Sequence, residues 1–273
     1  MMGRIIVPNG CIQQPQQSPR INGGNALTDG LVCAIVALPG NVFYEVFTQQ
    51  LVKNTGNFRI RQTIDGNAAA AVSNIGANAS PELTFARQTG ADRIAGPWTV
   101  FAESSMEVNA TQSSIFRSYN SGNGAGFNLD FDDVNTQSNG LRAIGDVTGC
   151  PGALGTNSEN FTHRLMATVD GSNIRYYTKR ILQATVASAT LPAASAGRLT
   201  YIISTVGASQ RASASLILVW NKVLGLFQYQ CLYDNPWQTL TVAPRALWSN
   251  APATFQSAWA VNSTVTIQSA RAA

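Results

Sequence analysis

The stretch LYDNPWQ, residues 232–238, follows an apolar run, SLILVWNKV at 215–223, that has the character of a closing β-strand. Pro236 forces Asn235 out of the helical region, so any helix over residues 225–233 ends there. Strand, short helix and Asn-Pro stop together mark the end of a β domain. Working outward, residues 26–40, ALTDGLVCAIVALPG, place a continuous apolar run between turn signals, and the domain begins there. Between these ends the chain reads as short strands separated by Gly, Asn, Ser and Pro turns, with no long 3.6-residue periodicity.

Residues 98–108, WTVFAESSMEV, alternate Trp98, Val100, Ala102, Ser104 and Met106 against Thr99, Phe101, Glu103, Ser105 and Glu107, which predicts a strand with one wet face. Strands are also expected over 114–119, 127–134, 141–147, 199–206 and 213–223. Residues 161–169 and 174–187 predict a hairpin across Asp170-Gly171-Ser172-Asn173, where Asp-Gly suits a tight turn. Residues 1–25, with Pro8, Pro15 and Pro19 among glutamines, predict an extended arm that must lie on its own domain or on a neighbour. Pro15, Pro19 and Arg20 are its candidate assembly residues. Residues 246–273 predict a C-terminal extension with a further strand. The domain itself is expected over 26–245.

The chain has 273 residues, 45% of them hydrophobic, enough for a full core. Charged residues are 12%, against about 25% in ordinary soluble domains. The net charge of +4 comes mostly from arginine, since Lys53, Lys179 and Lys222 are the lysines, and arginine suits packed interfaces. The arginines are scattered, with no basic run and no reader motif, which argues against nucleic acid as a partner. No apolar window approaches 18 residues, and Pro8 and Gly10 interrupt the start, so neither membrane insertion nor a leader peptide is expected. Cys11, Cys33, Cys150 and Cys231 stand far apart, without metal spacing, and read as buried thiols. The sequons at Asn78, Asn109, Asn160 and Asn262 follow from an Asn/Ser/Thr-rich composition.

The hairpin FTHRLMATVDGSNIRYYTKR resembles the mid-domain segment W-H-x-hydrophobic-x-x-T-x-D-G-x-x-hydrophobic-x-x-Y of concanavalin A-like (laminin-G-like) jelly rolls. His163, Asp170, Gly171 and Tyr177 fall in register. DGLVCAIVALPG, VWNKVLG and LYDNPWQ are similar to the ends of such domains in tailed phages and prophages, so the resemblance spans roughly residues 26–245. Phe161 replaces the usual tryptophan, and NKVLGLFQYQ departs from the usual charged linker. The resemblance implies a two-sheet antiparallel jelly roll on a virion surface, made in the host bacterial cytoplasm, with other virion proteins and further copies of itself as partners.

Because this fold carries lectins, glucanases and inert subunits alike, function has to be sought at residues. In LDFDDV, residues 129–134, Asp130 and Asp132 share a strand face and faintly resemble a glucanase carboxylate strand. The glutamates of that pattern are missing here, so the pair reads instead as charge on a solvated strand edge. Asp130 and Asp132, with Asn128 and Asn135, also offer hard oxygen ligands for calcium, without a D-x-D-x-D-G loop. No other cofactor is expected. His163, the single histidine, reads as structural. Tyr119, Tyr176, Trp237 and Trp248 are the aromatics a sandwich would use to stack on sugars, although Trp237 also reads as packing back on the domain. The expectation is therefore a non-enzymatic structural protein of a tailed-phage virion, held by its N-terminal arm, with a glycan-binding receptor module as the alternative.

Overall fold

LVCAIVAL is apolar at every position, as a strand covered on both faces must be. In the computed structural model it is completely buried. The structure describes residues 11, 13–15, 17–38, 42–52, 58–62, 70–74, 97–106, 112–120, 126–132, 140–142, 149–150, 162–187, 198–202 and 212–242. The expected strand near the C-terminus, and with it Trp248, lies outside the described residues.

Among the described residues the chain runs β1 (Arg20–Ile21), β2 (Leu31–Leu38), β3 (Val42–Glu45), β4 (Gln50–Leu51), β5 (Phe58–Gln62), β6 (Ala70–Asn74), β7 (Trp98–Met106) and β8 (Gln112–Asn120). It continues through β9 (Gly126–Asp132), β10 (Gly140–Arg142), β11 (Gly149–Cys150), β12 (His163–Val169), β13 (Asn173–Thr178), β14 (Ile181–Ala187), β15 (Arg198–Ile202) and β16 (Ala212–Trp220). Helix α1 (Leu226–Asp234), a 3-10 turn at Pro236–Thr239 and β17 (Leu240–Thr241) follow. Every pairing is antiparallel. One sheet has the order β14-β13-β12-β7-β16-β2-β3-β4, with β6 on β16 and β5 on β6; a second has the order β11-β10-β9-β8-β15; β1 pairs β17. The all-β sandwich expected from the sequence is the fold found.

The larger sheet has its central strands, β12, β7, β16 and β2, covered on both faces. Its inner face, including Ile35, Val100, Leu165, Ile217 and Val219, packs with Ile115, Phe116 and Leu129 of the second sheet. Trp98 meets Phe116 with ring centroids 6.3 Å apart. Its outer face, including Val36, Phe101, Met166, Leu218 and Trp220, packs under α1 and the 3-10 turn through Tyr229, Leu232 and Trp237. The wet face expected for β7 is therefore dry: Thr99, Phe101, Glu103 and Ser105 are all buried. The reason is tertiary, since α1 returns over this face, and the polar side chains are satisfied there. Glu103 accepts from Arg164 Nε at 2.7 Å and from Ser215 Oγ at 2.6 Å, while Ser105 and Ser213 bond to each other at 2.6 Å. Ser215 sits at a register irregularity between Ala214 and Leu216, which turns its hydroxyl toward Glu103.

Two other expectations change. The second arm of the hairpin, residues 174–187, is two strands, β13 and β14, joined at Lys179 and Arg180, whose φ angles are 51° and 67°. Non-glycine residues rarely occupy this region, so the turn carried no glycine signal. In the Asp170–Asn173 turn the left-handed position is Gly171 alone, and Asp170 Oδ1 accepts from Ser172 N and Asn173 N. Secondly, β9 is no sheet edge: Asp130 pairs with Ser114 and Arg142, and Asp132 with Gln112 and Gly140.

The Pro/Gln segment lies on the same unit. Gln14, Pro15 and Pro19 are buried, Gln14 Nε2 donates to Ala37 O, Cys11 N donates to Leu240 O, and Arg20 pairs with Thr241.

Candidate functional site

Helix α1 begins at Gly225, whose N–H donates to the Gln228 side-chain oxygen at 3.0 Å, one half of a capping box. Tyr229 and Leu232, three apart, face the sheet. Tyr229 Oη donates to Arg164 O at 2.7 Å, and burial pushes its phenol well above the ordinary range. With that stripe inward, Leu226 and Phe227 in the first turn point out, and Phe227 is 72% exposed.

Beside this turn sits a one-turn 3-10 helix, Ala26–Thr28, capped by Asn25 Oδ1 on Leu27 N at 2.9 Å. Trp220 Nε1 holds it to the sheet by donating to Leu27 O at 2.6 Å. Gly30, at φ 73°, lets the following turn close on the Asn221–Lys222 corner: a Cβ there would come within 3.0 Å of both side chains. The third wall is Gln238, which donates to Cys231 O and Asn235 O and receives Asn25 Nδ2 on its own carbonyl groups.

Between these walls lies a cavity of about 380 Å³, lined by Asn25, Lys222, Phe227, Gln228, Cys231 and Gln238 among others. That is within the range of small-ligand pockets. Most of its amide groups are spent on holding the walls. The Gln228 amino group and the Lys222 ammonium, which is ion-paired with Asp29, remain to meet a ligand. Lys222 Nζ lies 2.6 Å from Asp29 Oδ2, and the side chains are 36% and 83% exposed. The ammonium holds the Asp29 carboxyl below the ordinary carboxylate range. An open aromatic face, an amide amino group and an exposed ammonium can grip a polar ligand with apolar C–H faces. Among the described residues no three His, Cys, Asp or Glu side chains are grouped to hold a metal.

The residues singled out from the sequence do not gather here. Tyr176 is fully buried between the sheets, because both Tyr176 and Tyr177 are covered, one on each face; it offers no stacking face. Trp237 is buried under the outer face. Tyr119 lies in β8, opposite Gly126 and Leu199, on the second sheet with Asp130 and Asp132. His163 is half-buried at the start of β12, opposite Ser104. Cys11, Cys33 and Cys231 are free thiols, and burial raises the Cys33 and Cys11 pKa. Sequence reasoning missed Lys222, Phe227 and Gln228. A signal was present in NKVLGLFQYQ, where adjacent Leu226 and Phe227 cannot both share the inward stripe of Tyr229 and Leu232.

No protein-family model matches the chain, and no curated protein matches it. Solved structures do share its fold. Trypanosoma rangeli sialidase is similar at a TM-score of 0.56 and 18% identity, over 76% of this chain and 33% of that one. The receptor binding domain of botulinum neurotoxin mosaic serotype C/D is similar at 0.54 and 11%, over 77% of this chain and 51% of that one. The binding domain of Paraclostridial Mosquitocidal Protein 1 is similar at 0.51 and 10%, over 76% and 52%. The chain thus spans about a third of the sialidase and about half of the toxin domains, and at these identities the likeness is one of fold. The expectation that the chain is not an enzyme is corrected by this finding. Enzymes, sialidases, carry the fold, so the missing glutamate pattern around Asp130 and Asp132 excludes no activity.

Proposed function

We propose that this chain is a glycan-binding β-sandwich that holds sugar in the pocket between α1, the Ala26–Thr28 turn and Gln238. One observation carries the reading: Phe227 stands 72% exposed on a cavity of about 380 Å³ that Gln228 and Lys222 also line. A folded domain ordinarily covers such a ring, and an aromatic face beside amides is how β-sandwiches stack on the C–H face of a sugar while meeting its hydroxyls. The likeness to sialidases, one solved in complex with sialic acid, and to toxin receptor-binding domains supports the same reading. Glycan-array binding that is lost in Phe227→Ala, with unchanged circular dichroism, is the expected result. Binding that survives both Phe227→Ala and Gln228→Ala would place the sugar elsewhere. Product analysis of the bound glycan after incubation reads whether it is also cleaved.

A place on a tailed-phage particle, with virion proteins and further copies as partners, rests on the sequence resemblance alone. Abundant peptides of this chain in purified particles, and a stable oligomer by light scattering, are what that placement requires.

A further inference from the structure

The hydrogen-bonding groups around the pocket are unevenly used. Asn25 Oδ1 accepts from Leu27 N, and Gln238 Oε1 accepts from Asn25 Nδ2. Main-chain acceptors of the walls are taken as well. Leu27 O receives Trp220 Nε1, Lys222 O receives Thr99 Oγ1, Cys231 O receives Gln238 Nε2, and Gln238 O receives Asn22 Nδ2 and Asn25 Nδ2. Gln228 differs. The Gly225 N–H can only donate, so its bond at 3.0 Å fixes the Gln228 oxygen on the helix start and leaves the amino group as the unused end of that amide among the described residues. Much of the remaining lining is carbon, from Ala26, Leu27, Val223, Leu224 and Phe227. The wall thus sets a hydrogen-bond donor beside apolar surface, with its side-chain amide acceptors committed.

We propose that this pocket selects sugars bearing an acetamido group over sugars bearing a hydroxyl at the same position. The inference rests on the glycan-binding reading and narrows it. A hydroxyl must both donate and accept, and against a wall whose acceptors are taken it loses the bond it donates in water. An acetamido group brings a carbonyl oxygen, which only accepts, and a methyl group. The carbonyl takes the hydrogen bond of the Gln228 amino group, and the methyl covers the carbon lining and removes it from water. The ring, with the amide N–H on it, stays beside Phe227, where solvent reaches. Lys222, already paired with Asp29, adds no acceptor and leaves this asymmetry as it is.

The test is ligand-observed NMR titration of the full chain with N-acetylglucosamine against glucose and N-acetylgalactosamine against galactose, using the wild type, Gln228→Glu and Phe227→Ala. The expected result in the wild type, which needs no variant, is that the acetamido sugar of a pair binds about tenfold tighter than its hydroxyl counterpart. Gln228→Glu keeps an oxygen for the Gly225 N–H, so the helix start is preserved, and near-UV circular dichroism verifies this. It replaces the amino group by a carboxylate oxygen, which repels the ligand carbonyl and accepts from a hydroxyl, so the preference should vanish or reverse. Phe227→Ala should weaken acetamido and hydroxyl sugars alike. Equal wild-type affinities within both pairs, or a preference that persists in Gln228→Glu while Phe227→Ala loses binding, overturns the selectivity but leaves the glycan-binding reading intact. Absence of binding to every sugar overturns both.

Discussion

Glu103 shows how much a single polar residue on an apparently wet strand depends on what covers it. Its carboxylate is 3% exposed, held by Arg164 and Ser215, and Arg164 also donates to Tyr233 O and lies 5.8 Å from the Tyr233 ring. Removing one partner of a covered pair leaves the other charge uncompensated. Arg164 keeps 26% exposure, so the loss falls below that of a fully buried pair. Glu103→Gln should cost about 2–3 kcal/mol in urea unfolding. The opposite sign is expected at Lys179. A non-glycine residue in the left-handed region costs about 1–2 kcal/mol, and glycine returns about 0.5–1 of that as lost chain entropy. Lys179→Gly should therefore raise stability by roughly 0.5–1 kcal/mol. Asp170 sets a pH dependence. Two backbone N–H groups and Arg175 lower its pKa from 3.8 to about 2 in the folded chain. The stability it adds is therefore complete above pH 4 and fades as pH falls through about 2. Asp170→Ala should flatten the acid limb of the stability curve within that window, read by thermal melts at stepped pH.

At the scale of elements, α1 and the turn after it clamp the outer face. Asn235 ends the helix, caps Pro236–Thr239 through Trp237 N at 3.2 Å, and donates to Cys11 O at 3.2 Å. A single side chain thus ties the helix end to the N-terminal segment. Asn235→Ala should cost about 1 kcal/mol and release the Trp237 amide, which Asn235 Oδ1 caps, to faster hydrogen exchange, with the β7 and β16 amides unchanged. The hairpin shows the limit of local reading. The Asp170–Asn173 turn was legible because Gly171 needs its positive φ, whereas the Lys179–Arg180 turn is held by contacts made later in the chain. Arg180 pairs with Asp234 at 2.6 Å, and its carbonyl receives Gln230 Nε2 at 3.1 Å. Both partners belong to α1, which no window over residues 174–187 contains.

Across the whole molecule, the N-terminal segment is part of the sandwich's cover. Removing residues 1–21 takes away the β1–β17 pairing, the Gln14 bond to Ala37 and the buried Pro15 and Pro19. A loss of about 2–3 kcal/mol is expected, which lowers the Tm by roughly 5–10 °C. An unchanged melting curve would mean that the segment only rests on the surface. The sequence by itself determined the all-β class, the strands at 31–38 and 98–106, and the helix stopped by Pro236, because each depends on neighbours in the chain: periodicity, a fixed φ, an apolar run. The tertiary structure alone decided that the polar face of β7 is dry, that β9 lies inside its sheet, and that Tyr176 faces the core. It also brought Asn25, Lys222, Phe227 and Gln228 to one cavity. Residues nearly two hundred positions apart meet there because β2 and β16 are neighbouring strands of one sheet, and pairing over that distance leaves no mark in any local window.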